Sequence, residues 1–162
     1  MNHRHILTII ALTLGLAACM GKPTRPSQFY LLSPDPGQPV ASRATATSPV
    51  SIGLGPVTLP EIYDRPQIVT RTDDNQINLA QFERWGGDLN KDLTRTLARN
   101  LMSRLNTDSV ALFPWSGRYK PDFQVTIRFF RLDGQLDEAV TLDGVWRLLD
   151  GSRGCELAAH RF

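Results

Sequence analysis

Apolar and polar residues alternate in short runs along most of the chain, and one stretch alone repeats at a helical period. Gln28–Leu32 (QFYLL) reads as a short strand. In Val50–Pro60 (VSIGLGPVTLP), Val50, Ile52 and Leu54 alternate with small residues, the period-two signature of a strand. Gly53, Gly55 and Pro56 inside it mark a bulge or the close approach of another backbone. Gln67–Arg71 (QIVTR) and Gln76–Ala80 (QINLA) make a hairpin around TDDN, four turn-forming residues. Leu89, Leu93, Leu97, Leu101 and Leu105 then recur every fourth residue, with Lys91, Arg95, Arg99 and Arg104 off that row. This predicts an amphipathic helix of about 17 residues, with Asp88 as its N-cap. The strict spacing of four makes the row drift around the axis, which suits a helix laid on its own sheet better than a zipper with a partner helix. Phe82 and Trp85 are expected in a helical turn just ahead. Val110–Phe113, Asp122–Leu132, Ala139–Leu149 and Cys155–Phe162 are strand candidates separated by the turns DGQLDE and DGSRG, an antiparallel meander. Phe123, Val125, Ile127 and Phe129 share one face; Gln124, Thr126, Arg128 and Phe130 share the other. One face of this half is buried and one is wet or partnered.

The N-terminus follows a different rule. Met1–His5 carries Arg4 and no acid, and Ile6–Ala18 is an uncharged run of thirteen residues. Thirteen suits the apolar region of a secretion signal and is too short to span a bilayer. The run closes on Leu16-Ala17-Ala18-Cys19, which resembles the lipobox of bacterial lipoproteins. The resemblance implies that residues 1–18 are a signal peptide and that Cys19 carries acyl chains. Two or more chains anchor a protein stably where one holds it marginally. Met20, in place of an Asp, implies the periplasmic face of the outer membrane. Residues 19–27 then form the anchor and a Pro-containing tether, of which the eight residues after Cys19 reach at most about 25–30 Å. The folded domain is 28–162. Ser33–Pro49, with four prolines and otherwise small or polar residues, is expected to be a mobile excursion.

Charge narrows the partners. Removing Arg4 leaves seventeen basic residues against sixteen acidic ones over the 144 residues from Cys19. That balance argues against nucleic acid, which needs a basic excess on one face. Cys155 and His160 are the other cysteine and the last histidine. Their number excludes a disulfide framework and a Cys/His zinc site. Cys155 reads as a small buried residue on a strand, with pairing between chains as the alternative.

No catalytic constellation assembles. A Ser/His/Asp or Cys/His machine needs a histidine or thiol in the ordered core, and the acids cluster at turns. Asp73 and Asp74 lack calcium-loop spacing. Gly53-Leu54-Gly55 lacks the third glycine and the helix start of a dinucleotide loop. The expectation is a protein that is no enzyme, with no metal and no cofactor apart from the covalent lipid at Cys19. The richest segment is Gly53–Trp85. Within it, Asp64-Arg65-Pro66 interrupts two strands. It reads as a surface crossover held by a weak ion pair, or as a docking loop with Tyr63 and Arg65 as anchors.

FYLL near the tether, GLGPVTLP, YDRPQIVTR and FERW ahead of a Leu-rich helix closely resemble the ABC-type transport auxiliary lipoproteins, the PqiC-like family that accompanies MCE-domain (mammalian cell entry) lipid transport systems. The resemblance covers about Gln28–Leu105; beyond it only the strand pattern matches. It implies an α/β (α+β) domain, a mostly antiparallel sheet packed by one long helix. A second, C-terminal helix usual in the family is missing from this sequence, which ends at Phe162 and reads as C-terminally truncated. It also implies a subunit docking an MCE partner and supporting envelope integrity, with Tyr63, Asp64, Arg65 and Pro66 as the hypothetical docking residues. A homo-oligomer is compatible with this. The alternatives are a lipid-binding carrier, which needs an apolar cavity between sheet and helix, and an assembly lipoprotein of another outer-membrane machine.

Overall fold

The structure is a computed structural model that describes residues 3, 24–35, 50–73, 75–135 and 139–162. The expected signal peptide apart from residue 3, Cys19, the first part of the tether, Asp74 and most of the Pro-rich excursion lie outside the described residues.

Eight strands form two sheets, with one long helix among the described residues. Strands β1 (Gln28–Tyr30), β3 (Gln67–Arg71) and β4 (Ile77–Trp85) make a three-stranded sheet in the order β1-β4-β3. Strands β2 (Ile52–Thr58), β5 (Val110–Leu112), β6 (Phe123–Gly134), β7 (Val140–Asp150) and β8 (Glu156–Arg161) make a five-stranded sheet in the order β5-β2-β6-β7-β8. The α+β class stands, and β6-β7-β8 is the expected antiparallel meander. The pairing is more mixed than one mostly antiparallel sheet. Strand β2 runs parallel to both β5 and β6, and β1 runs parallel to β4. Parallel neighbours need a long crossover between them. Here the β3–β4 hairpin and the helix supply it.

Helix α1 (Leu89–Leu105) starts where Asp88 accepts a hydrogen bond from the Lys91 amide at 3.0 Å. It stops at Asn106, whose left-handed backbone (φ 49°) is one that asparagine tolerates. Leu93, Leu97, Leu101 and Ala98 pack on Leu54, Val57, Val125, Ile127 and Phe129 of the five-stranded sheet. Leu89 instead joins Tyr63, Val69, Ile77, Trp85 and Leu132, the cluster that ties the two sheets together. One leucine row thus serves both cores. Four steps of four residues turn the row by about 160°, and its last member, Leu105, is 43% exposed.

Two glycines let β2 be approached. A Cβ on Gly53 would stand 2.8 Å from the Trp115 ring and 2.7 Å from Pro121. Gly55 has φ +120°, and the register against β6 shifts between Leu54 and Val57. The bulge falls where the glycines predict it, but what approaches them closely is side chains, Trp115 and Pro121 at Gly53 and Phe113 at Gly55, and not another backbone.

Two expectations are corrected. Phe82 and Trp85 are not in a helical turn; they lie in β4, which runs to Trp85. Tyr30 pairs with Trp85 on one side and Gln67 with Arg84 on the other, so pairing from both sides overrides local preference. Cys155 is not a buried strand residue; it is exposed, just ahead of β8. Its carbonyl accepts from the Asp150 amide at 2.9 Å and so closes the turn instead of packing a core.

Candidate functional site

The crossover from β2 to β3 carries the residues that the sequence singles out. Pro60–Asp64 winds into a short 3-10 turn over Glu61–Tyr63, with the Tyr63 amide on the Pro60 carbonyl at 3.0 Å and the Asp64 amide on the Glu61 carbonyl at 2.9 Å. Pro66 closes the segment by accepting from the Trp85 amide at 2.7 Å. Backbone bonds at both ends therefore hold a loop that contains two prolines.

The four residues part company in their side chains. Tyr63 points inward and is 5% exposed. Its hydroxyl donates to Asp133 Oδ2 at 2.9 Å and accepts from the Leu132 amide at 3.1 Å. Asp64 and Pro66 are exposed, and Arg65 is half-buried with its Nε lacking a hydrogen-bond partner. Tyr63 is thus the peg that fixes the loop, and Asp64, Arg65 and Pro66 are what the loop presents.

Asp133 is the group that sequence reasoning missed. The run DGQLDE was assigned to a turn, but β6 continues through Gly134, and Asp133 is 3% exposed. Arg71 reaches it through Nε at 3.1 Å and Nη2 at 2.9 Å, and Arg131 through Nε at 2.7 Å. Burial alone would raise its pKa. The hydrogen bonds from Arg71, Arg131 and Tyr63 outweigh burial and bring it down to about 2. Burial, with Asp133 adding to it, pushes the Tyr63 phenol up. A signal for this site did exist. Arg131 and Asp133 stand two apart on a strand, so they share one face, and an opposite-charge pair there demands a common partner.

Above this buried cluster the crossover meets the start of α1. Leu59, Pro60, Glu61, Tyr63, Asp64, Asp88, Leu89 and Asn90 line a notch of about 320 Å³. A second notch continues along Arg65, Pro66, Trp85 and Gly86–Asp88. Glu61, Asp64 and Asp88 are exposed on the rim, and Lys91 is paired to Asp88 at 3.0 Å. Such a rim can receive a protein segment. No group of three His, Cys, Asp or Glu side chains is gathered as a metal site among the described residues. None of the described helices is long and apolar enough to cross a membrane. At the β3–β4 turn, Asp73 accepts from the Asn75 and Gln76 amides at 2.8 Å each, as a turn residue does.

Comparison with known proteins places the chain. No curated protein matches this sequence. Two crystal structures share the fold. One, of a protein described only as uncharacterized, is 20% identical, with a TM-score of 0.65 over 85% of this chain and 78% of the other. The second, XCC0632 from Xanthomonas campestris of the DUF330 family, is 18% identical, with a TM-score of 0.63 over 83% of this chain and 75% of the other. A family model described as the ABC-type transport auxiliary lipoprotein component matches residues 30–162, and so takes in the crossover, the helix and every strand after them. The match spans most of the sequence, and this chain belongs to that family, the ABC-type transport auxiliary lipoprotein component family.

Proposed function

We propose that the protein is an outer-membrane-anchored subunit of an MCE/ABC-type lipid transport system. Acyl chains at Cys19 hold it at the periplasmic face, and the β2–β3 crossover docks the component that spans the periplasm. The observation that carries the docking reading is the Tyr63–Asp133 bond. It spends a buried ionic cluster on holding a surface loop in one shape, and a preorganised loop binds with less loss of entropy. The rim acids Glu61 and Asp64, beside an Asp88 already paired to Lys91, fit a basic group on the partner. The carrier reading draws less support, because Leu93, Leu97 and Leu101 are packed against the sheet where a lipid would have to lie.

Co-purification from gently solubilised native envelope tests this. The expected companions are an MCE protein, an ABC ATPase and a permease. Asp64→Arg with Arg65→Glu should reduce their recovery at least about tenfold, the effect of one or two interface residues worth 1–2 kcal/mol each. Tyr63→Phe keeps the ring but removes the bond to Asp133 that holds the loop, and should reduce recovery by a smaller factor, about threefold or more. Unchanged recovery with the reversed charges would rule out the crossover as the dock. Stoichiometric lipid bound to the protein in place of protein partners would support the carrier.

A further inference from the structure

The loop between β5 and β6 is built unlike the rest of the surface. Residues 112–120, Leu-Phe-Pro-Trp-Ser-Gly-Arg-Tyr-Lys, hold three aromatic rings and two cations, with no acid. Phe113 stands edge-on to Trp115 at 5.3 Å between ring centroids, and Trp115 stands edge-on to Tyr119 at 6.5 Å. The three-ring ladder rests on β2 through Trp115, over Gly53. Its outer members stay in water: Phe113 is 48% exposed, Tyr119 41% and Leu112 40%. Arg118 and Lys120 are also exposed and make no ion pair or side-chain hydrogen bond among the described residues. Gly117, at the tip, has φ +68° and open space around it.

We infer that this loop rests on an anionic phospholipid surface, with Phe113 and Tyr119 at the headgroup level and Arg118 and Lys120 on lipid phosphates. Three arguments favour a bilayer as the occupant. Amphipathic rings next to unpaired cations are the composition found at membrane interfaces. Residues 112–120 themselves carry two cations and no acid, and the flanking acids Asp108 and Asp122 stand at the base of the loop, with Asp122 held by Ser51, so the cations near the tip are what meets an anionic plane. The tether allows the domain no more than about 25–30 Å from the membrane, so some face must lie close to it. The loop packs beside the N-terminal half of β2, and the crossover leaves its C-terminal end. The inference rests on the acyl anchor at Cys19.

The test uses acylated full-length protein in vesicles of phosphatidylethanolamine and phosphatidylglycerol, 3:1. Ser116→Cys in a Cys155→Ser background carries an environment-sensitive fluorophore. Flotation reports the anchor; quenching by lipids bearing a nitroxide reports the loop. The expected result is a floated protein whose label is blue-shifted and quenched. The docking equilibrium should fall about thirty-fold when Arg118 and Lys120 both become Gln, since each cation near an anionic surface contributes about fivefold. It should fall similarly when phosphatidylcholine replaces phosphatidylglycerol. A floated protein with an aqueous label overturns the loop inference and leaves the anchor intact. Failure to float overturns both. A label that is aqueous on these vesicles but protected in native envelope assigns the loop to a protein and also overturns the inference.

Discussion

Asp133 carries a full charge at a place that water barely reaches, and three side chains converge to keep it there. Arg71, Arg131 and Tyr63 supply the donors in place of water, and two of the three are cations. Its pKa near 2, against 3.8 for the free side chain, corresponds to about 2 kcal/mol of stability. The pKa is depressed in the folded state. The contribution is therefore complete above the unfolded value and is lost as the pH falls through 4 toward about 2. Asp133→Asn should cost about 3–5 kcal/mol at pH 7, because it leaves two arginines facing a neutral amide. In urea titrations at pH 7 and pH 2.5, the gap between the native protein and the variant should narrow by up to about 2 kcal/mol at the lower pH. A gap that does not change with pH would mean that Asp133 is not held as the anion. Tyr63→Phe should cost less, about 1–3 kcal/mol, since it removes one donor from Asp133 and one acceptor from the Leu132 amide.

At the scale of elements, legibility followed how local the cause was. Helix α1 was readable end to end, because a cap, a leucine row and an off-row set of cations all act within a few residues. Strand β3 was readable for the same reason, between Pro66 and the turn at Asp73. Strand β4 was half readable: QINLA carries the strand pattern, but Phe82 and Trp85 became strand through β1 and β3, which lie far away in sequence. The crossover was located correctly, yet its peg was invisible, because Asp133 is seventy residues from Tyr63. Periodicity reports which face is apolar, not which distant charge will be brought to it. The cap offers the matching prediction. Asp88→Ala removes the bond to the Lys91 amide and should cost about 1 kcal/mol, read as a lower urea midpoint with an unchanged slope. Asp88 also stands on the acidic rim of the notch. A loss of partner recovery larger than this destabilisation accounts for would place the rim in the dock as well.

For the whole molecule, the two ends of β2 are held by different means. The crossover at one end is fixed from inside by a buried carboxylate, and the aromatic loop beside the other end is fixed by a ring ladder over Gly53. Both sit on the five-stranded sheet that α1 braces, so their separation is set by packed strands and not by linkers. In the proposed reading the loop meets a lipid surface and the crossover meets a partner, and acyl chains at Cys19 keep the domain at the membrane. The loop alone offers two cations and three rings, a contact sensitive to salt because charges separated by more than about 8 Å are screened at physiological ionic strength. It can orient the domain but cannot retain it. In the proposed reading retention comes from acyl chains at Cys19, since each buried methylene adds about 0.8 kcal/mol and two or more chains make release rare. Cys19→Ala should therefore deplete the outer-membrane fraction at least about tenfold while the described domain folds as before, because its strands and helix begin at Gln28. Fractionation with immunoblotting, and the mass of the N-terminal peptide, check this together. An outer-membrane level unchanged by Cys19→Ala would move retention to the loop and the partner, and the tether would then have no role in setting the height of the dock.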